Sequence, residues 1–166
     1  MTAPNQTATM GNFLKTNTPA QTIFWSGLVV GVLDYIAAAI VFFVYFKMNP
    51  LQVLQAVAGG VYGAEAFKGG AFMISAGLFF HFLIAYVIAI IYFYAYPKIS
   101  ILGKYKIASG LVYGLGTWLV MNLLILPVTN FPPSPFNAGL AALGILWHMT
   151  LTGLPASLIT HKYYTK

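Results

Sequence analysis

Gly77-Leu78-Phe79-Phe80-His81-Phe82-Leu83-Ile84-Ala85 sets one histidine deep inside an unbroken apolar run. The run covers 71–96, and about 20 apolar residues suffice for a helix to cross a bilayer. The pattern returns as Gly144-Ile145-Leu146-Trp147-His148-Met149, again with a Gly four residues before the His and an aromatic just before it. Working outward, three more runs of spanning length appear, at 23–46, 107–128 and 138–160. Only helices and closed barrels satisfy the backbone in lipid, and runs this long favour helices. The fold expected is an all-α integral membrane bundle of four transmembrane helices.

Composition agrees. Hydrophobic residues make up 60% of the 166 and charged residues 6%, where a soluble domain carries about 25% charged. Eight Lys, no Arg, one Asp and one Glu give a net charge of +6. The lysines are scattered, which argues against nucleic acid as a partner, since phosphate recognition clusters basic residues on one face. The absence of Cys excludes disulfides and thiolate metal sites. Residues 1–22 lack the basic-then-apolar order of a signal peptide, so they read as a flexible cytoplasmic N-terminus and the first run is expected to stay in the protein.

The boundaries are marked by proline and lysine. The first run ends before Lys47-Met48-Asn49-Pro50, the second at Tyr96-Pro97-Lys98 and the third at Pro127, ahead of Asn130-Phe131-Pro132-Pro133-Ser134-Pro135. The fourth runs into His161 and a short C-terminal tail, 161–166. Residues 50–70 are apolar but short and broken by Gly59, Gly60 and Gly63, which reads as an interfacial or re-entrant helix with a flexible return. Lys15, Lys98, Lys104, Lys106, Lys162 and Lys166 fall on one side of this arrangement, and Lys47 and Lys68 on the other. Positive residues collect in the cytoplasm, so both termini are expected there, with the lipid bilayer as the constant partner.

Ser26-Gly27-Leu28-Val29-Val30-Gly31 matches Ser109-Gly110-Leu111-Val112-Tyr113-Gly114 in the same order as the two His-centred stretches. The chain thus reads as two hairpins related as parallel repeats. Gly27, Gly31, Gly110 and Gly114, with Gly77 and Gly144, are small-residue positions at which helices pack closely in lipid. Pro155 is expected to kink the fourth helix, because its ring removes a ladder hydrogen bond.

Asp34 lies halfway along the first run. A carboxylate at that depth costs about 2.5–3.5 kcal/mol on insertion scales and normally faces a partner inside the bundle. His81, His148 and Thr117, the repeat counterpart of Asp34, fall at similar depth, so the four are expected to form one buried polar layer. Such a layer suits proton-linked or small-solute permeation. Two alternatives belong to other classes: a b-type haem held between His81 and His148, and an accessory or homo-oligomeric subunit that meets a larger membrane complex through its glycine faces. Glu65, in the return Gly63 to Gly70, is a candidate mouth or metal residue, or a simple partner for Lys68. No nucleophile motif, phosphate loop or His-Glu-x-x-His is present, so no enzyme activity and no cofactor are expected by default.

Gly31-Val32-Leu33-Asp34, Asn49-Pro50-Leu51-Gln52-Val53-Leu54-Gln55, the Gly63 to Gly70 return and Phe80-His81-Phe82 together resemble the YagU-like family of small bacterial inner-membrane proteins. The resemblance covers most of 23–160. It implies a bacterial inner membrane and four helices, and it carries over no site residues.

Overall fold

The computed structural model describes residues 18–131 and 135–166. Lys15 and most of the N-terminal segment lie outside these residues, as do Pro132, Pro133 and Ser134. Every element among the described residues is helical. Four helical stretches among the described residues are long and apolar enough to cross a membrane: Pro19–Phe46, Gly70–Lys98, Lys106–Val128 and Ala138–Tyr164. Their outward faces carry bare apolar side chains such as Ile40, Phe72, Phe79, Val112 and Leu124. An apolar surface of that extent belongs in lipid, and the chain is a multi-pass membrane protein.

The first span is one helix, α1, Pro19–Phe46. It begins four residues earlier than hydropathy alone predicts, because Thr18 caps it and Pro19 opens it. The Thr18 hydroxyl accepts from the Gln21 N–H at 3.2 Å, and proline fits the first turn, where its missing N–H is not needed. α1 ends at Lys47 in a left-handed conformation, φ 56°. Pro50 does not merely stop a helix; it starts the next one, α2, Pro50–Tyr62. Asn49 and Gln52 close a reciprocal cap there, at 2.9 and 3.0 Å.

α2 is a regular helix, the short helix expected here, and it runs through Gly59 and Gly60 without a break. Its glycines serve contacts instead of breaks. Gly59 lies against the Phe131 ring and Gly60 against Thr129. Asn130 then ties the loop to the helix end, donating its N–H to the Gly60 carbonyl at 2.9 Å and its amide to the Val61 carbonyl at 2.7 Å. The buried face of α2, with Val53, Leu54 and Ala58, packs on α3, Gly70–Ala95. At Gly77 on α3 any side chain would run into the Leu54 backbone.

A short turn of helix, α4, Ser100–Lys104, leads into the third span. That span is α5, Lys106–Val120, followed by a π-helical turn, Met121–Ile125, and a 3-10 turn, Leu126–Val128. The fourth span is α6, Ala138–Trp147, a π-helical turn, His148–Gly153, and α7, Leu154–Tyr164. Each π turn stands just before a proline, Pro127 or Pro155. Proline cannot donate to the ladder, and an inserted π turn takes up the mismatch. The expected disturbance at Pro155 therefore takes the form of this wide turn. α7 continues through His161 to Tyr164, so most of the expected tail is helix. Tyr96 and His161 meet there at 2.6 Å, and Tyr164 stacks on Tyr96 at 5.0 Å.

Small residues set the helix spacing. A Cβ on Gly27 would meet the Tyr86 ring, and one on Gly31 the Phe82 ring at 2.7 Å, which joins α1 to α3. Gly110 and Gly114 face Gly153 and the His148 carbonyl, which joins α5 to the fourth span backbone to backbone. Gly144 faces the Trp118 indole. Val30, Ala85 and Ala156 form a buried cluster where α1, α3 and α7 converge.

Candidate functional site

Asp34 sits fifteen residues into α1, about 22 Å along the helix at 1.5 Å per residue. Its side chain faces the fourth span and is 22% exposed. One oxygen, Oδ1, accepts two hydrogen bonds: from Trp147 Nε1–H at 3.0 Å and from the Thr152 hydroxyl at 3.2 Å. His148 Nε2 lies 3.7 Å from the same oxygen, with the imidazole 14% exposed. Three side chains thus converge on one carboxylate oxygen or border it, and all three come from a single stretch of six residues.

The π turn makes that convergence possible. Trp147 and Thr152 are five residues apart, which in an uninterrupted α-helix puts them about 140° apart around the axis. Both could not then reach one oxygen. The wide turn His148–Gly153 closes hydrogen bonds five residues apart and brings the two side chains onto one side. The Leu154 N–H bonds back to Met149, five residues earlier.

The His148 ring is oriented by its own helix. Nδ1 lies 2.7 Å from the Gly144 carbonyl, and only an N–H can bond a carbonyl, so Nδ1 carries a proton. Nε2, the nitrogen facing Asp34, is then the one free to gain or lose a proton. The ring also stacks on Trp147 at 5.3 Å. Trp147 belongs to two environments: Nε1 holds Asp34, and the indole lines an open apolar groove with Leu33, Ile36 and Leu146.

His81 is at the expected depth but has another task. Its Nε2 lies 2.8 Å from the Gly31 carbonyl and donates to it across the α1–α3 interface. The Tyr35 ring packs on its edge at 5.9 Å, and Tyr35 in turn donates to the Pro50 carbonyl at 2.9 Å. Thr117 does not join the layer. Its hydroxyl donates to the Tyr113 carbonyl four residues earlier on its own helix, at 3.0 Å. Glu65 is on the surface and pairs with Lys68 at 2.8 Å, both side chains 70% exposed or more. Among the described residues no three His, Asp or Glu side chains cluster as a metal would require.

The partners that sequence reasoning missed are Trp147 and Thr152. Trp147 was visible as the aromatic beside His148, but nothing in a 3.6-residue period pairs it with Thr152. The chain matches no protein-family model, no curated protein and no solved structure.

Proposed function

We propose that this chain is a proton-linked permeation protein whose proton-binding unit is the pair Asp34–His148. The observation that carries the reading is the 3.7 Å approach of His148 Nε2 to an Asp34 oxygen already held by Trp147 and Thr152. Trp147 and Thr152 fix the position of Oδ1 and aim it at His148. A proton moving between Asp34 and His148 Nε2 interconverts an ion pair and a neutral pair without changing net charge. Uptake or loss of one further proton changes the charge of the whole unit. Intramembrane acids in such company mark proton relays.

Asparagine keeps the shape of Asp34 and cannot titrate. In liposomes, Asp34→Asn is expected to abolish proton-driven flux while thermal stability stays close to wild type. Equal flux in the two proteins, or no flux in either, would defeat the reading and leave Asp34 as structural glue.

The remaining parts of the picture draw support from placement. The YagU-like resemblance points to a bacterial inner membrane. Lys98, Lys104, Lys106 and Lys162 cluster at the end of the bundle where α1 starts and α7 stops, while Lys47 and Lys68 mark the other, which favours cytoplasmic termini. Reporter fusions after Lys166 and within 129–137 should then lie on opposite sides. α2 is read as an interfacial helix at the non-cytoplasmic end. The parallel repeat is favoured by matching contacts. Gly27 meets Tyr86 and Gly110 meets Gly153, and Tyr86 and Gly153 each stand five residues after their histidine.

The alternatives draw less support. Haem ligation between the two would need His81 to turn from the Gly31 carbonyl, which its Nε2 holds, and His148 Nε2 to leave Asp34. A Soret band lost in His81→Ala and in His148→Ala would revive that reading. A subunit role through glycine faces competes with internal packing, since Gly27, Gly31, Gly77, Gly110, Gly114 and Gly144 all meet this chain's own atoms.

A further inference from the structure

Among the described residues, two buried hydroxyls have no partner. Ser26 Oγ and Thr160 Oγ1 make no hydrogen bond, and their residues are 1% and 0% exposed. Neighbouring hydroxyls solve this problem locally: Thr22, Thr117 and Thr150 each donate to the carbonyl four residues earlier. Ser26 and Thr160 do not, and a buried hydroxyl without a partner bears its full desolvation penalty.

Their relative position follows from contacts on either side. Thr152 bonds Asp34, Val30 clusters with Ala85 and Ala156, and the Phe93 and Tyr164 rings meet at 5.2 Å. A step of four residues along a helix keeps the same face and moves about one turn. One step from Val30, Ala85 and Ala156 toward the Pro19 end are Ser26, Ala89 and Thr160. The two hydroxyls therefore share a level, with only the small side chain of Ala89, itself 0% exposed, supplied by α3.

We propose that Ser26 and Thr160 hold a buried water, and that this water is the last aqueous station for a proton travelling to Asp34 from the Pro19 end; the second clause rests on the proton-linked reading above. A buried water needs two to four polar partners. The hydroxyls supply two, and helix carbonyls can accept its remaining hydrogens. Ser26 lies seven residues from the start of α1 and eight from Asp34, about 10 and 12 Å at 1.5 Å per residue. Between station and carboxylate stands one apolar layer, Val30–Ala85–Ala156, about one helical turn thick. Water that enters this layer carries the proton by hydrogen-bonded exchange from the station to the Asp34 carboxylate, leaving a neutral carboxyl at Asp34 and a water at the station.

The test is a double-substitution cycle in the full chain, with thermal unfolding and liposome proton flux measured on each protein. Ser26→Ala and Thr160→Val should each lower the melting temperature and cut flux several-fold. The double variant should be little worse than either single one, because the water is lost at the first substitution. Thr160→Ser, which keeps the hydroxyl, should restore flux. Single substitutions that are neutral or stabilising, with additive effects, would mean dry hydroxyls and overturn the proposal. Coupled stability with undiminished flux would overturn the route. Wild-type protein without flux defeats the reading of Asp34–His148, and with it the route, while the stability cycle still decides the water.

Discussion

The two Gly-x-x-x-Gly motifs are spelled alike and packed differently. Gly27 and Gly31 on α1 make room for rings, Tyr86 and Phe82. Gly110 and Gly114 on α5 make room for backbone: Gly153, the His148 carbonyl and the Leu154 Cα. The histidines divide in the same way. His81 spends its Nε2 holding α3 to α1. His148 is held by its own helix through Nδ1 and keeps Nε2 for Asp34. One hairpin is fastened by side chains, and the other brings backbones together while leaving a nitrogen free. A small-residue motif thus specifies close approach, and the residue opposite decides what approaches.

The sharpest way to break this comparison is to add one methyl group. Gly114→Ala must move the His148 backbone and is expected to cost about 3 kcal/mol, the upper end of overpacking. Gly27→Ala meets a ring that can swing, and about 1 kcal/mol is expected. Thermal unfolding in detergent reads both, and equal losses would erase the distinction. Next in size is the contrast between histidines. His148→Gln is expected to lower proton flux at least about tenfold, since glutamine cannot titrate. His81→Gln can still donate to Gly31 and should leave flux intact; comparable losses would put both imidazoles on the path. The smallest contrast sets the site against the surface. Thr152→Val removes one donor from Asp34 and should cost about 1 kcal/mol. Glu65→Gln breaks only an exposed pair, and its effect should lie within measurement error.

Depth was legible in the sequence; direction was not. Counting residues along the apolar runs puts Asp34, His81 and His148 at one level, because the rise per residue is fixed. Whether a side chain at that level meets its neighbours depends on rotation about the helix axis. For His148 the rotation is set by a π turn ahead of Pro155, and this is why Trp147 and Thr152, on opposite faces of an ideal helix, arrive together. Thr117 shares the depth of the layer, but a threonine hydroxyl can reach back to its own helix, and Thr117 does so. The contacts of α2 were hidden for a related reason. Gly59 and Gly60 look like breaks until the Thr129–Phe131 loop, some seventy residues downstream, is seen resting on them.

That loop bears on biogenesis. Gly60 and Val61 are synthesised about seventy residues before Asn130, the residue that caps their carbonyls. At 5–20 residues per second the ribosome needs roughly 4–14 s to cover that interval. Throughout it, the first hairpin exists with the end of α2 untied, and the tie can form only after the third span has been threaded. The order of insertion is thereby written into the fold: α2 is an early helix with a late latch, and its final docking reports that the second half of the protein has arrived.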